Sequence, residues 1–275
     1  TQDTAGPMAR TVTDAAILLS ALAGEDEADE ATKINHQSIR DYTVFLKSDG
    51  LRGKRIGVEK SLLKGHEAID RILQDALEVI KRQGAEIIEV DVISKMKEIG
   101  DSEFQVLLFE FKNDLNKYLS KENWKLKSLQ DIIAYNKQNE AKVMPYFKQE
   151  IMENAEKKGD LETKDYKEAL QKDYTVTRGT IDSALKEFNL DAICGPTTGP
   201  GWCTDLVNGD HFAGYETSTP AAVAGYPHIT VPMGFVFGLP IGLSFFGTAF
   251  SEGPLISLAF AYEQASRNRK APQLK

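Results

Sequence analysis

The sequence predicts an α/β protein: a mixed β-sheet of about five strands flanked by helices, with a long helical insertion. Three observations carry this. Residues 55–92 read strand, helix, strand. Residues 95–188 are charged, poor in glycine and helical in period. Residues 191–250 then turn rich in glycine and proline around short apolar runs. The organisation that follows is an α/β part made of 1–94 and 189–275, interrupted by a mainly helical insertion over 95–188.

The elements follow in order. Thr11 can cap a first helix, with Asp14 in its first turn and Gly24 as a stop, and Ile17, Leu18, Ala21 and Leu22 recur on one face. Residues 24–50 are acidic and irregular, which predicts a surface crossing. A strand over 55–58, a helix over 68–83 closed by Gly84, and an alternating strand over 86–92 make a βαβ unit with parallel strands and a right-handed crossover. Helices are expected over 104–119, 129–139, 146–157 and 164–188. Apolar strands are expected over 192–194, 229–232 and 241–246. A last amphipathic helix over 255–267 ends in a basic turn suited to the negative end of its dipole.

Composition excludes several classes of function. Apolar residues make up 41% and charged residues 27% of 275, the balance of a globular protein with a sizeable core. A formal charge of −8 argues against nucleic acid or an anionic membrane as partner, because both demand a basic face. Cys194 and Cys203 are too few for a disulfide framework and lack the spacing of a CxxC redox or zinc pair, so a reducing, cytoplasmic setting is expected. No stretch approaches the roughly 18 consecutive apolar residues of a membrane span.

Several motifs resemble the amidase signature family of serine hydrolases, and they come in that family's order. Asp3-Thr-Ala-Gly-Pro-Met-Ala-Arg10 resembles the segment just downstream of the family's core signature. Gly50-Leu-Arg-Gly-Lys-Arg-Ile-Gly-Val58 resembles its first strand here, and Pro145-Tyr-Phe-Lys-Gln-Glu150 a turn of its helical region, with Lys148 where a glycine is usual. Asp191-Ala-Ile-Cys-Gly-Pro-Thr197 resembles the strand that ends in a Pro-Thr turn. The runs 222–234 and 238–247 resemble two C-terminal strands, and Ala261-Tyr-Glu-Gln-Ala265 the closing helix. The loop 201–211 is most similar to that of peptide-amidase-type members, which hydrolyse carboxamides of small or peptidic acids.

The resemblance implies a nucleophilic serine, a second serine that relays the proton and a lysine of depressed pKa as base, with no cofactor. In the family all three lie upstream of the DTAGP segment, in or near a Gly/Ser-rich run. This sequence has no such run and no GxSxG elbow. The expectation is therefore the C-terminal part of an amidase, holding none of the catalytic residues and inactive alone. Its partners would be a small-molecule or peptide amide substrate and the N-terminal half of the fold; an exposed sheet edge or apolar face would also admit a homodimer. A non-catalytic binding or assembly module is the rival reading.

What the chain itself offers is the loop after the 192–194 strand. The resemblance implies that the Pro-Thr turn and the loop after it lie around the substrate cleft, and the residues agree in part, since strand-end turns are where open α/β sheets bind ligands. Thr197, Thr198, Trp202 and Asp205 are accordingly the candidates for substrate contact, with Trp202 as an apolar wall and Asp205 orienting a polar group. The residues alone leave open a plainer role, in which 195–201 is a tight connection and Trp202 an anchor. No metal site is expected: Asp210 and His211 near Asp205 and Asn208 lack the spacing of a calcium loop. A salt bridge between Asp3 and Arg10 is expected to fix the approach to the first helix, and His228 to be a hydrogen-bonded structural residue. A minor reading gives Phe109, Tyr118, Tyr135 and Phe147 a channel to line.

Overall fold

A computed structural model describes residues 1–34, 39–121 and 123–273. The elements are α1 (Val12–Leu22), β1 (Arg55–Glu59), α2 (Glu67–Arg82), β2 (Glu86–Val90), α3 (Ile93–Met96), α4 (Gly100–Lys121), α5 (Leu129–Gln138), α6 (Glu140–Val143), α7 (Glu150–Glu156), α8 (Lys164–Glu187), β3 (Ala192–Pro196), α9 (Thr219–Ala224), β4 (His228–Val236), β5 (Leu239–Phe246) and α10 (Glu252–Ser266). The surface crossing expected over 24–50 is irregular apart from two short 3₁₀ turns. Its residues 35–38 lie outside the described residues.

The five strands form one mixed sheet in the order β2-β1-β3-β5-β4. β1 runs parallel to β2 and to β3, while β5 is antiparallel to both β3 and β4. α2 shows why this sequence folds here. Ile69, Leu73, Ala76, Leu77 and Ile80 make one buried stripe, Glu67 and Asp70 sit in the first turn, and Lys81 and Arg82 in the last. α2, α10 and the inner side of α1 cover one face of the sheet. The other face is covered by α8, α9 and α3.

Differences from the sequence reading have local causes. β2 stops at Val90 because Glu59, 1% exposed, takes the backbone N–H groups of Val92 and Ile93 on its Oε2 at 2.7 and 3.0 Å. The helix expected over 146–157 begins only at Glu150, since Pro145 cannot continue a helix and leaves a turn between α6 and α7. β4 and β5 extend toward each other and meet at Phe237-Gly238, both at positive φ (50° and 85°), the conformation of a two-residue hairpin turn. α1 differs in its burial. It packs through Val12 and Ala16, leaving Ile17 and Leu22 more than half exposed.

Candidate functional site

β3 is buried along its whole length and ends at Pro196, where the chain leaves the strand for a loop. Two bonds hold the turn there. Thr197 N–H donates to the Gly242 carbonyl of β5 at 2.8 Å, and the buried Thr217 donates its hydroxyl to the Pro196 carbonyl at 2.8 Å. The Thr197 side chain meets two other hydroxyls. Ser244 Oγ donates to Thr197 Oγ1 at 2.8 Å, and Thr197 Oγ1 lies 2.6 Å from Thr230 Oγ1. Ser244 and Thr230 face each other directly across the β4/β5 pair, which is why they share a side of the sheet. Thr198 beside them is exposed.

The loop that follows is braced from within. Trp202 Nε1 donates to Asp210 at 3.0 Å, and its ring stands edge-on to Phe212 with centroids 6.0 Å apart. Asp205 Oδ1 accepts from the N–H groups of Val207 and Asn208, and its Oδ2 from Asn208 Nδ2. These bonds hold the Asp205 carboxyl below its usual range. The far end of the loop is pinned by Tyr215, whose hydroxyl donates to Asp70 at 2.9 Å and accepts from the His66 N–H at the start of α2. Burial and the Asp70 bond push the Tyr215 phenol up to about 12. The structure thus brings Thr197 and Thr198 to the strand end and places Trp202 and Asp205 farther along the same loop.

A concavity lies beside the Thr197 turn, reached through Thr230. A cavity of about 510 Å³ runs along β4, between the chain before α1, α1 itself and α10. Residues 6–10, Val12, residues 228–232 of β4, Leu255 and Glu263 line it. Its volume is in the range of small-molecule sites. The expected Asp3–Arg10 bridge is absent from the described ion pairs. The approach to α1 is fixed instead by Thr11 Oγ1, which accepts from Asp14 N–H at 3.1 Å, and by Glu263, which accepts from Val12 N–H at 3.0 Å. His228 is also not bonded as expected. Its Nε2 is buried with no partner among the described residues, and burial lowers the imidazole to about 4, which favours the neutral ring. Glu263 is held above its usual range by burial.

Sequence reasoning missed Thr230 and Ser244, because their meeting with Thr197 depends on strand register. It also missed the Tyr215–Asp70 brace, a contact across 145 positions. Among the four aromatics considered as a channel lining, Phe109 is buried against Tyr166, while Tyr118, Tyr135 and Phe147 are exposed. Among the described residues, no group of three or more His, Cys, Asp or Glu could hold a metal ion, and no helix is long and apolar enough to cross a membrane. Both cysteines are free, Cys194 buried and Cys203 exposed.

A mixed five-stranded sheet of this order, flanked by helices, is the amidase signature fold. The amidase family profile matches residues 1–256, and the chain belongs to that family. It is 38% identical to a probable amidase of Arabidopsis thaliana, over 99% of this chain and 50% of that protein. Among solved structures, a native peptide amidase from Stenotrophomonas maltophilia superimposes with a TM-score of 0.90 at 40% identity, over 99% of this chain and 55% of that one. A peptide amidase in complex with the competitive inhibitor chymostatin gives a TM-score of 0.94 at 41% identity, over 99% of this chain and 56% of that one. An amidase family protein from Bacillus anthracis gives 0.83 at 33% identity, over 99% and 50%. The chain therefore spans about half the length of the relatives it matches.

Proposed function

We propose that this chain forms one wall of the cleft and part of the sheet of an amidase that hydrolyses linear carboxamides of the peptide-amide kind. The nucleophilic serine, the relay serine and the lysine base come from residues outside these 275. The observation that carries the reading is the match to the inhibitor-bound peptide amidase, at a TM-score of 0.94 and 41% identity over 99% of the chain. It is set against a sequence that contains no Gly/Ser-rich run. In this reading Thr197 and Thr198 offer hydroxyls to the substrate, and Trp202 gives it an apolar wall. Asp205 Oδ2 receives only one bond within the loop, so it retains capacity to accept one from the substrate. The overall reaction takes up water and releases a carboxylate and ammonia. The two free cysteines support a reducing, cytoplasmic setting, and the charge of −8 supports a partner other than nucleic acid.

The test is ammonia release from an N-acyl amino-acid amide. The 275-residue chain alone should release none, while the same chain joined to the preceding half of a peptide amidase should turn over. Turnover by the chain alone would overturn the assignment of the nucleophile to residues outside it. Failure of the joined protein would favour a binding or assembly module.

One observation supports a second role beside the first, as half of a two-chain amidase or as a homodimer. Among the described residues β4 is an edge strand of nine residues with no strand on its outer side, and the adjacent α1 exposes Ile17, Leu18 and Leu22. An open edge beside an apolar face favours docking of another polypeptide. A monomer in sedimentation at high concentration would count against it.

A further inference from the structure

We infer that Thr230 is a substrate-binding residue, and that its hydroxyl donates a hydrogen bond to a carbonyl oxygen of the bound amide. The inference rests on the amidase reading and adds to it a residue and a direction. Three hydroxyls joined by two hydrogen bonds have three protons to place. Ser244 is wholly buried, and among the described residues its hydroxyl has Thr197 as its one partner. If that bond were reversed, the Ser244 proton would be buried without an acceptor, at a cost of about 1–3 kcal/mol. Ser244 therefore donates to Thr197; either hydroxyl of the Thr197–Thr230 pair can be the donor, and the order proposed is the one in which Thr197 donates and the Thr230 proton is left over.

Thr230 is exposed, and among the described residues its hydroxyl has no bond except the one to Thr197. It touches the strand-end turn through Thr197 and lines the 510 Å³ cavity along β4. Donors in a row polarise one another, so the terminal hydroxyl is a better donor than an isolated threonine. Its complement is an acceptor such as an amide carbonyl. The arrangement also explains Gly242: a Cβ there would stand 2.5 Å from both Thr197 Oγ1 and Thr230 Oγ1 and would drive the two hydroxyls apart.

The direction of the chain gives a test that a purely structural role would not pass. N-acetyl-leucinamide is titrated into the 275-residue chain carrying ¹³C-labelled threonine methyls. The Thr230 methyl should shift on binding. Thr230→Val keeps the shape but loses the donor, and should weaken binding roughly five- to tenfold, the loss of one neutral hydrogen bond. Thr230→Ser should bind within about twofold of wild type. Ser244→Ala releases the fixed direction while leaving Thr230 in place, and should fall between the two. A wild-type Thr230 methyl that does not respond, or a Thr230→Val chain that binds as tightly as wild type, would overturn the inference. Should Thr230→Val prove unstable, the contrast between Thr230→Ser and Ser244→Ala decides in its place. The amidase reading fails by a different result, the absence of ammonia release from the joined protein, so the two failures are distinguishable.

Discussion

The sheet and the helical stretch from α4 to α8 are held together in different ways. Around the sheet, Leu51, Ile56, Leu73, Ile80, Leu243, Phe245 and Tyr262 belong to one continuous apolar core and are wholly buried. Apart from the C-terminal half of α8, whose Ile181 and Ala184 pack on the sheet, the helical stretch has no such core among the described residues. Leu108, Leu129, Ile133 and Ala155 form one small cluster, and Val106, Phe109 and Tyr166 another. What joins them is polar: Tyr166 donates to Glu110 at 2.7 Å, Ser102 to Asp173 at 2.6 Å, and Lys112 to the carbonyls of Glu156 and Lys158 at 2.6 and 2.8 Å. Apolar burial scales with area and tolerates small shifts, whereas hydrogen bonds are directional and some depend on protonation. The strand-end turn at Thr197 is built on the first kind of interior, which suits a site that must hold its geometry.

The largest effect should come from the sheet core. Phe245 is fully buried and stands edge-on to Tyr262 with ring centroids 6.2 Å apart. Phe245→Ala should cost about 3–5 kcal/mol, read as a lowered midpoint in urea. Because β5 carries Ser244 one position away, the hydroxyl row should lose its order together with the core. A loss below about 1 kcal/mol would mean that the sheet is packed far more loosely than its burial implies.

Next in size is an opposition in pH response between the two regions. His228 on β4 is neutral when folded, its pKa lowered by burial from 6.5 to about 4. The unfolded chain binds that proton at higher pH. The contribution is therefore full above 6.5 and is lost as pH falls from 6.5 toward 4, at most about 3 kcal/mol. Asp173 and Glu103 behave in the reverse sense. Burial raises both, and for Glu103 the charges of Asp173 and Glu216 add to it. Their contributions are full below the unfolded values of 3.8 and 4.5 and are lost as pH rises through the folded ones. In hydrogen exchange, acidification from pH 7 toward 4 should weaken protection around β4, whereas acidification through the raised carboxyl values should strengthen it around α4 and α8. His228→Asn should flatten the first response and Asp173→Asn the second. Parallel slopes in both regions would break the comparison.

A smaller effect isolates one polar joint. Tyr166→Phe keeps the ring packed on Phe109 but removes the hydroxyl that donates to Glu110, and should cost about 1.5–3 kcal/mol, the range for a bond to a charged group. The loss should appear as faster exchange in α4 and α8 with β3 and β5 unchanged. Equal loss of protection in the sheet would show that the helical stretch is not a separate unit of stability.

The same contrast decides what could be read from the sequence. β1, α2 and β3 were legible because their apolar periodicity is the packing that forms them. The Phe237-Gly238 turn was not, since neither residue pair nor flanking pattern matches the usual Asn-Gly or Asp-Gly signal. α9 was hidden by its length of six residues, although Pro220 near its start and Gly225 just past its end mark both limits. At the end of β3 the Pro-Thr turn at Thr197 was visible as a local motif. The partners that orient it, Thr230 and Ser244, are set by a strand register that no local pattern states. The polar joints of the helical stretch escaped for a related reason: a glutamate at 110 or an aspartate at 173 looks like any solvated helix charge until the partner helix is placed beside it.

The smallest change in stability should come from the outer side of α1, and that is what makes it informative. The sequence shows Ile17, Leu18, Ala21 and Leu22 recurring on one face, and periodicity alone would bury it. The helix instead docks through Val12 and Ala16 and leaves Ile17 at 53% and Leu22 at 58% exposed. Residues so exposed lose little on substitution, so Ile17→Ser with Leu22→Ser should alter stability by no more than about 0.5 kcal/mol. If this face is a docking surface, however, the double variant should sharply reduce self-association in sedimentation and weaken capture of a preceding amidase half supplied as a separate chain. Unchanged association would assign the exposed side chains to ordinary surface and leave the open β4 edge as the feature through which another polypeptide would have to dock.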